Sequence, residues 1–317
     1  MRYLLVLLLL SGCSVFQHQK VVFMQHKDIV AAILAPDQQM DMQLDGEALD
    51  RQKMTIDIDI FFDDEMKALK NKKSFKDSFP IADVDLRYRD TPIKKQWNGT
   101  CTAFAGVAAL ENTLGGDQHL SVRDAWHWYR KYSCRAFINA LSSNRICKNK
   151  DWPQKNISPS ASCAPNRRIK LDKFTYLKDD IASAVLHLQE NRVVYLGMTT
   201  PRDMLSCKPV IRPNTASTRG GHALAIVGYS KPSETAPGYF ILKNSWGANC
   251  GDNGYHYLPT SVCKRKDLYC IMWAIEKVSD EEPNVVCKKI KVCKRVWYAP
   301  WWRKCSFKKV CETKARG

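Results

Sequence analysis

Apolar positions along the chain fall into a few clear patterns. From Thr102 to Leu114 an alanine-rich stretch carries Phe104, Val107, Ala108 and Leu110 at helical spacing, and Gly115-Gly116 closes it. This predicts a helix with Cys101 at or just before its N-terminus. GGHALAIVGYS sets His222 at the start of an apolar run that reads as a buried strand, and GYFILKNSWGANCGDNGY sets Asn244 at the end of another. Met54 to Phe62 (MTIDIDIFF) alternates apolar and charged residues like a half-buried strand. The run from Asp37 to Asp50 is polar and rich in acids and amides, and the lysine-rich KALKNKKSFKDS reads as an exposed linker.

The N-terminus changes the picture of compartment. MRYLLVLLLLSGCS has Arg2, an apolar run from Tyr3 to Leu10, then small residues. The run is too short to span a bilayer and has the layout of a secretory signal. Leu10-Ser11-Gly12-Cys13 resembles a bacterial lipoprotein lipobox. That resemblance implies removal of residues 1–12, acylation of Cys13, and anchoring without spanning; Ser14 after the cysteine favours the outer membrane. Thirteen cysteines suit an exported chain better than a reducing cytosol. With 317 residues, 45% of them apolar, there is ample material for a core. A formal net charge of +17 predicts attraction to anionic partners.

Cys101, His222 and Asn244 carry the candidate chemistry. A helix N-terminus presents unpaired N–H groups and the positive end of the dipole, which favour a thiolate. A thiolate nucleophile needs a base, and an imidazole at a strand edge can accept and return a proton near neutral pH. An amide oxygen can hold that imidazole in one tautomer without adding charge. Among the other histidines, His18 and His26 precede this region, and His119, His127 and His187 fall in or near helix-like segments.

The flanking sequence, from about Phe79 to Val278, resembles the papain/cathepsin-type cysteine proteases. FPIADVDLRYRD looks like the mature start, CTAFAGVAALEN like the nucleophile helix, and HLSVRDAWHWY like the next helix, with Ser121 and Asp124 as a capping box. LKDDIASAVLHLQENRVVYLGMTT resembles the helix and strand opening the second half, and MWAIEKV the closing strand. GGHALAIVGY and YFILKNSWG match the His and Asn signatures; His222 follows Cys101 by 121 residues and Asn244 by 143. The resemblance implies an α+β fold of two lobes, helical and β-barrel-like, and peptide-bond hydrolysis by Cys101, His222 and Asn244. It further implies that Gln96 contributes to an oxyanion hole, that Trp246 shields the His222–Asn244 bond, and that Cys207 pairs with Cys270. The sequence departs from the family at Asn98-Gly99-Thr100-Cys101-Thr102, where an upstream cysteine and a tryptophan are usual. Gln96 stands five residues before Cys101 instead of six, and the second Trp after NSWG is replaced near Cys250.

The tail, Pro283 to Gly317, lies beyond this match. It holds eleven Lys or Arg against one acid, Glu312, with Trp297, Tyr298, Trp301 and Trp302. Cys287 and Cys311 add to the same number as Cys293 and Cys305, so one antiparallel register sets both pairs opposite on one face. This predicts a basic hairpin with disulfides Cys287–Cys311 and Cys293–Cys305. Its turn is expected around Ala299-Pro300, Trp297 and Trp301 should face each other near the tip, and Val286, Ile290, Val292 and Val296 should lie on the opposite face.

The expected organisation is a signal peptide (1–12), a pro-segment or membrane spacer (13–78), a papain-like peptidase domain (79–280) and the basic hairpin (283–317). The expected function is a membrane-anchored cysteine endopeptidase of the bacterial envelope, acting on protein or peptide substrates, with the hairpin meeting an anionic surface or glycan. No metal, cofactor or nucleic acid is expected. The rival readings are a binding or membrane-active protein with a vestigial protease fold, and a thiol hydrolase acting on peptidoglycan peptides.

Overall fold

The computed structural model describes residues 21–35, 46–57, 82–115, 117–129, 132–154, 163, 166–234, 237–281, 285–296 and 299–313. The expected signal, Cys13 and the lysine-rich stretch lie outside them. The architecture is α+β. Helices α1 (His26–Leu34) and α2 (Gly46–Lys53) and strand β1 (Ile56–Asp57) come first, followed by β2 (Val84–Asp85). Then come helices α3 (Cys101–Leu114), α4 (Val122–Tyr129) and α5 (Cys134–Ser143). The remainder of the body is β3 (Arg145–Ile146), β4 (Ile169–Lys178), α6 (Ile181–Gln189), β5 (Val194–Pro201), α7 (Arg202–Leu205), β6 (Ser217–Ser230), β7 (Tyr239–Lys243), β8 (Tyr255–Pro259), α8 (Thr260–Cys263) and β9 (Cys270–Asp280).

One antiparallel sheet runs in the order β3-β4-β9-β5-β6-β7-β8, with β1 and β2 both added to β6. β5 is buried along its whole length and β6 from Gly220 to Ser230, so both read as apolar runs instead of alternating patterns. Helix α3 packs on β6 and β9 and is enclosed on nearly every side from Cys101 to Asn112, as a helix with little amphipathic character must be. Gly106 lets α5 approach: a Cβ there would sit 2.7 Å from Phe137 Cε1.

A buried ionic cluster joins the far end of α3 to β7. Glu111, buried in α3, takes Lys94 Nζ, the Thr91 hydroxyl (2.5 Å) and the Leu120 N–H (2.7 Å). Lys243, the last residue of β7, donates to Thr91 O (2.7 Å) and pairs with Asp90 (3.3 Å). Burial raises the Asp90 carboxyl and lowers the Lys243 ammonium, and their mutual attraction opposes both shifts. The helix that begins with Cys101 and the strand that ends before Asn244 are thereby tied together.

Three disulfides staple the body: Cys147–Cys163, Cys207–Cys250 and Cys263–Cys270. The expected Cys207–Cys270 pairing is therefore corrected. Cys207 lies in the turn after α7, where its carbonyl accepts from Gly251 N (3.1 Å), which brings Cys250 beside it. Cys270 opens β9 seven residues after Cys263, and those Cα atoms are 5.2 Å apart. Cys134, buried at the start of α5, takes part in none of the three. The capping box is half formed: Ser121 Oγ accepts from Asp124 N (3.0 Å), but the Asp124 carboxylate binds Arg167 and Cys147 N.

Parts of the expected pro-segment pack on the body. Met24 N donates to Asp252 Oδ2 (2.8 Å), Phe23 stands edge-on to Tyr255, and His26 stacks on Tyr239. Ile29 and Ile33 of α1 and Ala48 of α2 are buried, and Arg51 Nε donates to Leu205 O. β1 pairs antiparallel with β6 through Ile56 to Gly221 and Asp57 to Gly220.

The tail forms its own two-stranded sheet, β10 (Val285–Val296) against β11 (Ala299–Thr313). The register is the expected one: Cys287 opposes Cys311 and Cys293 opposes Cys305. It also sets Lys289 opposite Lys309, Lys294 opposite Lys304, and Arg295 opposite Arg303. The tip differs from expectation. The register shifts after Arg295, and Val296 opposes Ala299. Ala299 and Pro300 lie on β11, and residues 300–302 are extra on that strand. Proline has no N–H for the ladder and is tolerated in such an irregularity. Trp297 and Tyr298 lie outside the described residues.

Candidate active site

The site gathers at the N-terminus of α3, the start of the buried part of β6, and the turn after β7. Gly99, at φ +63°, closes a tight turn in which Thr100 N and Oγ1 both donate to Trp97 O. Helix α3 then begins at Cys101. On the facing side, Lys95 bridges to Trp246, Gly247 N donates to Lys94 O (3.2 Å), and Gln96 N to Ser245 O (2.7 Å). This pairing carries Gln96 to the Asn-bearing turn despite its shortened spacing from Cys101.

Gln96 is oriented by a residue the sequence reading missed. The Ser245 hydroxyl donates to Gln96 Oε1 (2.6 Å), which turns Nε2 outward, where it donates to Met54 O (3.0 Å). Ser245 sits inside the NSWG signature, but nothing in that string indicates where its hydroxyl goes.

His222 stands on β6 opposite Met198. Its Nε2 lies 2.9 Å from Asn244 Oδ1, and Trp246 stacks on the ring at 4.4 Å between centroids. Asn244 Oδ1 also accepts from Ser245 N (2.7 Å), and Asn244 N donates to Gly254 O (3.0 Å). Asn244 Nδ2 lies 3.0 Å from Nε2 of His256, whose Nδ1 lies 2.8 Å from Lys208 O. His256 is the second residue that sequence reasoning missed: in GYHYLP it reads as one more strand position.

These contacts fix one direction of donation. A carbonyl only accepts, so His256 carries its proton on Nδ1 and offers a lone pair at Nε2. The Asn244 NH2 donates to that lone pair, which leaves Oδ1 facing His222. His222 then carries its proton on Nε2, and its Nδ1 is bare, with no hydrogen-bond partner among the described residues.

Cys101 and His222 are both fully enclosed. Burial pushes the Cys101 thiol up to about 12, although the backbone N–H groups of Ala223, Thr102 and Cys101 itself favour the thiolate. Burial holds the His222 imidazole down to about 4, against the opposing bond to Asn244. Burial thus favours the neutral form of both thiol and imidazole.

Residues 129–271 match the family described as "Papain family cysteine protease". That span includes His222 and Asn244, and Cys101 precedes it. An uncharacterized peptidase C1-like protein of Acanthamoeba polyphaga mimivirus is 39% identical over 192 residues, covering 54% of this chain and 56% of that protein. Ananain of Ananas comosus is 24% identical, covering 54% of this chain and 53% of its own length. This chain is similar to the papain-type cysteine proteases. It spans about half the length of these curated relatives. The papain-like fold is also that of procathepsin L 3 from the larval midgut of Tenebrio molitor, with a TM-score of 0.55 at 18% identity over 79% of this chain and 90% of that one. Xylellain, a cysteine protease from Xylella fastidiosa, has a TM-score of 0.50 at 21% identity, over 63% and 87%. Within the papain-like pattern, Cys250 bridges to Cys207 where family members carry a second tryptophan.

Proposed function

We propose that this chain is a thiol endopeptidase made in a covered form and held at a bacterial envelope membrane. Cys101 Sγ attacks the peptide carbonyl carbon and its proton passes to His222 Nδ1. The oxyanion takes N–H donors from Cys101 and from Gln96 Nε2. His222 returns the proton to the leaving amine as the C–N bond breaks, and a water deprotonated by His222 then hydrolyses the thioester. The observation that carries this reading is the hydrogen-bond chain ending at His222, which leaves Nδ1 unprotonated, with the next residue, Ala223, bonded through its backbone to Cys101.

The segment 46–57 acts as the cover. Met54 O occupies the Gln96 donor that an oxyanion would need, and β1 extends β6 at the residues just before His222. The test folds the full chain, then cuts it at a cleavage site engineered between residues 58 and 80. Before cutting, peptide hydrolysis and alkylation of Cys101 are expected to be slow. After cutting, alkylation should rise by about 10²-fold as desolvation of the thiol is relieved, peptides should be cleaved, and Cys101→Ala should abolish cleavage. Full activity before the cut defeats the cover, and activity in Cys101→Ala defeats the mechanism. Cleavage of peptidoglycan peptides alone would select the thiol-hydrolase reading.

Acylation at Cys13 and the basic hairpin form the membrane attachment. The hairpin register places cations opposite one another on both strands, an arrangement suited to bridging anionic headgroups, with tryptophans near the tip at the interface. Cys13→Ser should move the protein from the membrane to the soluble fraction. Deleting 283–317 should weaken binding to vesicles containing phosphatidylglycerol. Unchanged fractionation, or unchanged vesicle binding, defeats the respective half of this attachment.

A further inference from the structure

The hydrogen-bond chain that begins at His222 continues past Asn244 to His256, which takes no part in the mechanism above. We infer that His256 is a positioning residue for catalysis, setting the tautomer of His222 through Asn244; this rests on the endopeptidase reading. His256 is fully buried on β8, the strand beside β7. Its surroundings hold it closely. Lys208 O, 2.8 Å from Nδ1, fixes its protonation, and the Cys207–Cys250 disulfide staples the Lys208 segment to the loop before β8. Gly251, at φ +78°, passes directly over the ring: a Cβ there would lie 3.1 Å from His256 Nε2 and 2.3 Å from Tyr255 O. Only a glycine allows that approach.

The consequence lies in the symmetry of an amide. Rotated by half a turn, the Asn244 carboxamide would present NH2 to His222 Nε2, favouring the tautomer with its proton on Nδ1. That tautomer cannot accept the Cys101 proton. Two contacts oppose the rotation: Ser245 N on Oδ1 at 2.7 Å, and His256 Nε2 on Nδ2 at 3.0 Å. Ser245 N is a main-chain donor. His256 is the side chain that makes the second lock, since its lone pair can receive only the amide's N–H.

The test compares His256→Phe, which keeps ring bulk and removes the acceptor, with His256→Gln, which keeps an acceptor oxygen. Both are made in the full chain cut after folding, and rates are expressed per active site titrated with a thiol-directed inhibitor, so loss of folded protein does not enter. His256→Phe should lower kcat about tenfold, the worth of one orienting hydrogen bond, with KM nearly unchanged, and His256→Gln should recover most of the loss. In an Asn244→Ala background His256→Phe should have little further effect, because its route of action is gone. Nitrogen-15 spectra of the histidines should show His222 moving from the Nε2–H form toward the Nδ1–H form in His256→Phe. Full kcat in His256→Phe, equal loss in Phe and Gln variants, or an undiminished effect in Asn244→Ala would overturn the inference. Activity surviving in Cys101→Ala would instead overturn the endopeptidase reading, and the His222 spectra would still decide the role of His256.

Discussion

His222 and His256 are both enclosed, and burial holds each imidazole down to about 4, against 6.5 for an unperturbed ring. In the unfolded chain both rings regain the ordinary value. Between about pH 6.5 and 4 the unfolded state therefore binds protons that the folded state refuses, so stability falls as pH drops through that window and levels off below it. Asp90, raised by burial, works in the opposite sense. The clean measurement is a difference: urea midpoints at pH 7 and pH 4.5 for the native chain and for His256→Gln. The native midpoint should drop on acidification, and the variant's should drop less. Equal drops would mean that His256 is not held neutral by the fold. At this scale the sequence disclosed part of the site. Cys101, His222 and Asn244 stand in strings whose neighbours identify them. Ser245 and His256 do not, because their roles depend on which way a hydroxyl or ring faces after β7 and β8 have paired.

Elements are where pairing decides, and here the sequence was read both well and poorly. The hairpin β10–β11 has the predicted register through eleven consecutive pairs, because two equally spaced cysteine pairs leave one antiparallel solution. Its tip was misplaced because an extra stretch on one strand leaves no mark in spacing. The Cys207–Cys250 bridge was missed for a related reason: loops meet by tertiary packing, which cysteine spacing does not encode. An isolated two-stranded ribbon is marginal in water, and like charges directly opposite each other weaken it further. Three such rungs, at Lys289–Lys309, Lys294–Lys304 and Arg295–Arg303, therefore call for a covalent brace. Opposed residues of an antiparallel pair lie about 4.5–5.5 Å apart at Cα, within reach of a disulfide. Non-reduced digests should yield Cys287–Cys311 and Cys293–Cys305 linked peptides. Recovery of Cys287 joined to Cys293, or of free thiols at all four, would refute the brace.

On the scale of the molecule, the α+β, papain-like architecture followed from motif strings that span most of the body, and the sheet order realises it. The cover was not readable. Residues 46–57 form one short helix and a two-residue strand, too little for any period to announce, and their place over the site is dictated by the open edge of β6 and by the Gln96 donor. The helix bearing Cys101 and the strand that leads into Asn244 are joined by the Glu111, Thr91 and Lys243 cluster, so uncovering the site need not rebuild it.

In the proposed covered form, the segment that occupies the Gln96 donor belongs to the same polypeptide as the site. Its hold is a matter of effective molarity, because the two parts share one chain. Dilution cannot loosen it, and a millionfold rarer molecule is as silent as a concentrated one. Once that chain is cut, the same contacts become an ordinary bimolecular complex whose occupancy falls with concentration. Activity per molecule should then be independent of dilution before the cut and should rise with dilution after it; a dilution-dependent uncut chain would show that the cover comes from a neighbouring molecule. A single hydrolytic event thus converts a property of the molecule into a property of the solution around it.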